Sequence, residues 1–447
     1  MIITNFKSLN KNNLRRKALL VAEAGYEAIN IKKVIKNRIT IENNLLEFAT
    51  TCSSKQEKTK INLTDFKNIY LIGIGKGSAL ASIALSKILG RRLTRGVALD
   101  IKIPDFASQA PKISFLTGTH PLPSKRNMVA TAKIEAMARK AGKDDLVIAF
   151  ICGGGSALAC SSKDELTCSL AATKGLTAMG ADILELNTVR KHASEIKGGN
   201  LAKLVYPATL VSLIVSDVLG NDLEMIASGP TVRDTTTKKD AENILKKYGI
   251  NPKLFHLLET PKEEKYFKNA RNILFVSNKD AIIAMEKKSK ELGIKPKIYS
   301  YELKGEAKKV FQVLIKNTKQ GEISLAGGET TVHLGKFDMN KGKLGKGGRN
   351  KESVLGALAS FQKSKVNSRK LLFMSFASDG HDNTEAAGAI GDCLTMEKAE
   401  KGGLNFENYL ANHDSFNFFK KSGDLIFASR KSFNVADLMV VLNSSEN

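Results

Sequence analysis

Ile69-Tyr70-Leu71-Ile72-Gly73-Ile74-Gly75-Lys76-Gly77-Ser78 joins a short apolar run to a glycine turn, and a helical pattern follows it through Ile88. An apolar run too short for a helix and closed by glycine reads as a buried strand. The rhythm recurs at residues 96–103, at 113–116 before a helix-like 126–140, at 146–151 before 165–179, and at 210–215. Buried strands alternating with helices imply a mainly parallel sheet covered on both faces, so the expected fold class is α/β.

Residues 14–36 carry helical spacing ahead of this region, and 238–269 is a charged stretch with 240–248 helical and Pro252 and Pro261 as punctuation. The domain junction is therefore expected there, with a first domain at 1–249 and a second α/β domain at 268–447. The second would hold strands at 272–276, 297–301, 323–325 and 371–376, and helices at 280–292, 305–315 and 352–361. Val354, Leu358 and Phe361 share one face of the last helix and are expected in the core. No repeat of solenoid period and no low-complexity tract interrupts this reading.

A chain of 447 residues suits two domains, and no apolar run approaches the roughly 18 residues of a membrane span. Residues 1–10 lack the apolar centre of a signal peptide, which makes cytoplasm the expected setting and a membrane partner unexpected. The cysteines, Cys52, Cys152, Cys160, Cys168 and Cys393, form no C-x-x-C pair, so reduced, mostly buried thiols are expected rather than disulfides or zinc. The histidines include no H-E-x-x-H, which removes support for a metalloprotease-like site. A net charge of +24 raises the question of nucleic acid, but the lysines are dispersed and Trp is absent. A generally basic surface is the expectation, and nucleic acid is not the expected partner.

Three further glycine turns resemble the first: Gly153-Gly154-Gly155-Ser156, Gly327-Gly328-Glu329-Thr330-Thr331 and Gly345-Lys346-Gly347-Gly348-Arg349-Asn350. A helix start leaves unpaired N–H groups and a partial positive charge, and glycine lets an anion approach the backbone. The turns together point to phosphate chemistry. None matches G-x-x-x-x-G-K-[ST] or G-x-G-x-x-G, so neither a Walker-type ATPase nor a standard dinucleotide fold is signalled.

Lys76 stands where a glycine turn becomes a helix and adds full charge to the helix dipole. Arg349 offers a planar fork for phosphoryl oxygens, and at a helix start its charge opposes the dipole unless an anion is present. Asp217 and Asp222 follow a buried strand at the end where open α/β sheets place ligands, and either could hold Mg²⁺ or accept a hydroxyl proton. Asp379, Asp382 and Glu329 occupy similar strand ends, and spacing alone ranks no base among these carboxylates. Arg190, Lys191 and Lys197 are read on a helix leading into Gly198-Gly199, while His192 reads as a hydrogen-bonded structural histidine.

Together these motifs resemble one family, the glycerate 2-kinases whose C-terminal half is the MOFRL-type domain. The resemblance is carried in order along nearly the whole chain by Gly73-Ile74-Gly75-Lys76, Gly118-Thr119-His120-Pro121-Leu122-Pro123, Gly153-Gly154-Gly155-Ser156-Ala157-Leu158 and Asn187-Thr188-Val189-Arg190-Lys191-His192. It continues through Lys197-Gly198-Gly199, Ser216-Asp217-Val218, Ile226-Ala227-Ser228-Gly229-Pro230-Thr231, Gly327-Gly328-Glu329-Thr330-Thr331-Val332, Gly347-Gly348-Arg349-Asn350 and Ala386-Ala387-Gly388-Ala389. The resemblance implies a Rossmann-like N-terminal domain, an active site in the cleft between two α/β domains, and ATP- and Mg²⁺-dependent phosphorylation of the C2 hydroxyl of D-glycerate. It implies Lys76 and Arg349 as catalytic residues; Asp217 stands beside them as the candidate catalytic carboxylate from its strand-end position. Gly75, Gly153, Gly154, Gly155, Ser156, Arg190, Lys197, Gly327, Gly328, Glu329, Gly347 and Gly348 would serve ATP and substrate, with Asp217, Asp222 and Asp379 as metal candidates. A homodimer is compatible with this reading.

The chain departs from the family pattern at Cys152 and Ala326, which replace serines, and at Lys351, which replaces a glutamine. A late glycine-rich segment appears as Ala428-Ser429-Arg430-Lys431-Ser432-Phe433-Asn434-Val435, and Asp379-Gly380-His381-Asp382-Asn383 lacks its second glycine. Arg430 and Lys431 would exchange a backbone contact for a charged one. Two alternatives therefore accompany the kinase expectation: a kinase for another small hydroxy acid, and a catalytically weakened relative that binds anions or nucleic acid.

Overall fold

The computed structural model describes residues 1–50, 58–334, 344–364 and 370–445, and Cys52 lies outside the described residues. The chain forms two compact units, Ile31–Ser277 and a second built from Met1–Asn30 with Asn278–Asn447.

The first unit begins with an antiparallel three-stranded sheet of β1 (Ile39–Glu42), β2 (Leu45–Ala49) and β3 (Lys58–Asn62). Its main sheet contains β4 (Asn68–Ile74), β5 (Leu93–Asp100), β6 (Ile113–Thr117), β7 (Asp145–Ile151), β8 (Thr209–Val215) and β9 (Ala270–Val276). All neighbours are parallel and the order is β6-β5-β4-β7-β8-β9. This is the doubly wound, Rossmann-like order, with its topological switch point between β4 and β7. Ile72, Ile74, Val147, Ala149 and Ile151 of the central pair are buried with Ile134 and Ala138 of the helix Lys125–Lys140. Each fully buried Ile or Val contributes about 1.5–3 kcal/mol, so the switch point rests on a stiff floor.

Three expectations are corrected here. Residues 272–276 do not open the second domain, because β9 pairs in parallel with β8 as the last strand of the first sheet. The charged region before it is no linker: Ala241 and Leu245 of the helix Lys238–Lys247 are buried with Leu186 and Val189, leaving the lysines on the outer face. Residues 14–36 are not one helix but two, Asn13–Ala28 and Ile31–Arg38, and the division between the units falls between them. The first helix belongs to the second unit, where fully buried Arg15 pairs with Asp392 and Asp424 at 2.6 and 2.7 Å. Tyr26 donates to the carbonyl of Ala377 at 2.9 Å.

The sheet of the second unit contains β10 (Lys295–Leu303), β11 (Glu322–Gly328), β12 (Leu371–Ala377), β13 (Gly388–Gly391), β14 (Leu425–Ile426) and β15 (Asp437–Asn443). The order is β10-β11-β15-β12-β13-β14, and only β10 with β11 is parallel. Strand β15, which the sequence reading did not assign, runs antiparallel between β11 and β12 and sets Asp437 opposite both Gly328 and Ala377. Val354, Leu358 and Phe361 of the helix Arg349–Ser364 are buried in the same cluster as Phe311 and Phe373, as expected of a core face. Among the described residues no helix is long and apolar enough to cross a membrane.

Candidate active site

Two polar centres emerge, one in each unit. The first stands at the switch point. Gly75 adopts φ +109°, and a Cβ there would lie 2.3 Å from the carbonyl oxygen of Cys152, so the turn after β4 can close on the turn after β7 only as glycine. The Lys76 amide then donates to the carbonyl of Gly153 at 2.9 Å. Lys76 is thus held at the start of the helix Ser78–Leu89, as the sequence placed it. A Cβ on Gly154 would meet Lys76 Cε at 3.4 Å and His120 Nε2 at 3.2 Å, which brings all three residues to one spot.

Arg190 completes this group from the helix Ile183–His192. Its guanidinium donates to the Thr173 hydroxyl at 2.8 Å, and no carboxylate partners it among the described residues. Burial depresses the Arg190 pKa. His120, although exposed at its surface, is lowered to about 4 by burial and by the neighbouring charges of Lys76 and Arg190. A neutral imidazole beside two cations, one without a carboxylate, is an arrangement that favours an anion. Ser156 and Asn187 are joined by Ser228, whose hydroxyl lies 2.9 Å from each.

Asp217 packs on the same turn: a Cβ at Gly153 would fall 2.0 Å from its Oδ2. Asp222 is instead exposed, and its carboxylate accepts from the amide of Glu224 at 2.9 Å as the cap of a turn. Lys197 is corrected. It lies beyond the helix, fully buried, with its ammonium on the Glu165 carboxylate, which makes it half of a structural ion pair. Lys191 is likewise buried, on Asp234 at 2.9 Å and Glu224 at 3.3 Å. His192 is structural as read, with Nδ1 2.8 Å from the carbonyl of Leu258. Cys152 is buried, which raises its thiol pKa and leaves it a packing residue.

The second centre surrounds Arg349, the first residue of its helix. Its Nε donates to Asp437 and its Nη1 to Glu329, so carboxylates of the chain itself supply the anion that the helix dipole demands. Asn350 donates to Asp437 at 2.9 Å and accepts from the Ser375 hydroxyl at 2.6 Å. Burial pushes Asp437 up to about 7, Arg349 opposes this, and the Asp382 carboxylate adds to it. Lys351, fully buried, sits 2.6 Å from Asp382.

The glycines of this unit are explained by close packing. Gly327 and Gly328 are not in a loop but end β11, and a Cβ on Gly328 would lie 2.0 Å from the carbonyl oxygen of Leu303. Gly347 lies under the carbonyl of His413 and Gly348 under Asp382, with 2.6 and 2.4 Å to a would-be Cβ. Asp379 accepts from the amide of His381 at 3.0 Å, and Gly380 adopts φ +81° beside Ala428, so the altered 428–435 segment borders the altered 379–383 turn. Among the described residues no group of three or more His, Cys, Asp or Glu side chains is arranged to hold a metal ion.

Sequence reasoning missed His120, quoted only as part of a motif, and Asp437. A local signal existed for Asp437: an acidic residue opening an apolar run, Leu438-Met439-Val440-Val441-Leu442, marks a strand end.

Residues 17–259 match the family model described as a domain of unknown function, DUF4147, and residues 322–437 match the MOFRL family. A glycerate 2-kinase from Pyrococcus horikoshii is 34% identical over 409 residues, covering 85% of this chain and 88% of its own. A protein named putative hydroxypyruvate reductase from Agrobacterium vitis is 35% identical over 391 residues, covering 83% and 86%. The crystal structure of a glycerate kinase from Thermotoga maritima superposes with a TM-score of 0.75 at 26% identity, covering 96% of this chain and 99% of that one.

Proposed function

The chain belongs to the glycerate 2-kinase family, and on that basis we propose that it transfers the γ-phosphoryl group of ATP to the C2 hydroxyl of D-glycerate, giving 2-phosphoglycerate and ADP. The observation that supports this most directly is the switch-point group of Lys76, His120 and Arg190, where a half-buried guanidinium has a hydroxyl but no carboxylate among the described residues. An anionic ligand supplies what is missing.

Lys76 and Arg190 bind oxyanions of the substrates, and the turn of Gly153, Gly154, Gly155 and Ser156 lets them approach the backbone. Arg349, oriented by Asp437 and Glu329, presents its fork to the phosphoryl group as charge spreads over its oxygens. The preorientation matters because charge held in place before the reaction costs no rearrangement during it. Asp217, packed against the glycine turn at Gly153, would hold Mg²⁺, which takes one or two carboxylates together with phosphate oxygens and water. When bound, the metal neutralises phosphate charge. Cytoplasmic placement and a homodimer belong to the same proposal.

The test is incubation of the purified protein with ATP, Mg²⁺ and D-glycerate, with ³¹P NMR separating 2- from 3-phosphoglycerate. Formation of 2-phosphoglycerate supports the reading; no phosphoglycerate overturns it. The altered 428–435 segment, lying against Gly380, favours a second reading as a kinase for another small hydroxy acid. A panel of hydroxy acids in the same assay separates the two. The reductase name predicts nicotinamide oxidation, but the turn after β4 has Ser78 where a G-x-G-x-x-G fingerprint needs its last glycine.

A further inference from the structure

His120 lies in the loop between β6 and the helix Lys125–Lys140, and that loop is fixed through the fully buried Asn127. The Asn127 Oδ1 accepts from the amides of Thr119 and Ser124 at 2.9 and 3.0 Å, while its Nδ2 donates to the carbonyls of Thr119, Ala157 and Leu158, each at 3.1 Å. One side chain therefore ties the His120 loop to the short helix Gly155–Leu158 that follows the glycine turn after β7. The Nε2–Cδ2 edge of the ring faces Gly154, with both atoms 3.2 Å from where a Cβ would be. Among the described residues neither ring nitrogen has a hydrogen-bond partner, although Asn127 anchors the loop on both sides. An imidazole on an anchored loop, beside the glycine turn and near the charges of Lys76 and Arg190, suits a ligand that carries a hydroxyl as well as an anion.

We propose that His120 is the catalytic residue that receives the acceptor hydroxyl: Nε2 accepts the hydrogen bond of the glycerate C2 hydroxyl and then its proton as the phosphoryl group moves. This rests on the kinase reading and assigns the proton acceptor that sequence spacing left open among the carboxylates. The C2 oxygen forms a bond to the γ-phosphorus, the bond from that phosphorus to the β,γ-bridging oxygen breaks, and its electron pair leaves with ADP. The hydroxyl proton goes to His120 Nε2 and from there to water. The free imidazole, lowered to about 4, is neutral and has its lone pair available. Carboxylate and phosphate charges arriving with the substrates offset Lys76 and Arg190, which raises the imidazole's proton affinity at the step that uses it. An analogue lacking the hydroxyl leaves Nε2 unpaired and binds less well.

The experiment compares wild type, His120→Ala and His120→Gln for 2-phosphoglycerate formation, with melting and KM for ATP measured on each. The proposal expects His120→Ala to lower kcat by about 10²-fold or more with KM for ATP and melting unchanged, and added imidazole to restore part of the rate. His120→Gln keeps an acceptor and is expected to hold KM for glycerate near wild type while kcat still falls. Either variant suffices if the other fails to fold. A kcat within about threefold of wild type in a folded variant overturns the role of His120 and leaves the kinase reading standing. Absence of phosphoglycerate from the wild type overturns the kinase reading itself.

Discussion

Arg349 and Asp437 form a charge pair at the carboxyl ends of β11 and β12, with the guanidinium Nε on one carboxylate oxygen and Nη2 3.4 Å from the other. The Asp437 side chain is 1% exposed and the Arg349 side chain 33% exposed, so a buried carboxylate orients a partly exposed cation. Arg349→Lys is expected to lower kcat by about 10²-fold or more with melting near wild type, because the ammonium keeps the charge but loses the planar fork. Steady-state kinetics decide this, and a near-normal kcat would reduce Arg349 to a general electrostatic contributor.

Removing the cation altogether should reveal Asp437 in the pH dependence of stability. Asp437 is raised to about 7 in the folded chain against an ordinary value near 3.8, so it opposes folding as pH rises through that window. In Arg349→Ala its folded pKa rises further. Below about pH 4 the carboxyl is protonated in both states and this source of penalty vanishes; above about pH 7 the variant continues to lose stability after wild type has levelled, at about 1.4 kcal/mol per pH unit. Urea denaturation between pH 5 and 9 reads the difference, and parallel curves would contradict it.

Lys76→Ala is expected to lower kcat by about 10²-fold or more without unfolding the protein, since the turn is held by the amide of residue 76 and by Gly75, which the change spares. Kinetics and circular dichroism on the same sample check both halves.

Arg190→Ala should raise KM for glycerate by about 10-fold or more, in keeping with the roughly 1.5–3 kcal/mol of a hydrogen bond to a charged group. Thr173 is the protein partner lost, a single hydroxyl, so thermal stability should change little. Unchanged KM with lower stability would mark Arg190 as structural.

Lys351→Met should destabilise the fold by about 3–5 kcal/mol by stranding the buried Asp382 carboxylate. Lys351→Gln retains a donor and should lose less. Chemical denaturation of the two variants gives the order, and equal losses would show that the ion pair itself matters little.

Alternating apolar runs and helical periods in the sequence determined a mainly parallel sheet covered on both faces, the glycine turns that follow its strands and the placement of Lys76. Those features follow from contacts close along the chain or from burial on both faces, which each segment records in its own composition. The tertiary structure decided which sheet each segment joined. Residues 272–276 read as a strand under either assignment, and only pairing with β8 placed them in the first unit. The glycines at 327–328 and 345–348 read as phosphate loops because glycine serves anion approach and backbone crowding alike, and only the neighbouring Leu303, His413 and Asp382 distinguish the two. Asp437 met Arg349 because β15 was threaded between β11 and β12, and His120 met Lys76 through a loop held by Asn127. A side chain's chemistry is set by what lies within a few ångströms, and for these residues those neighbours come from distant parts of the chain, where no local period can record them.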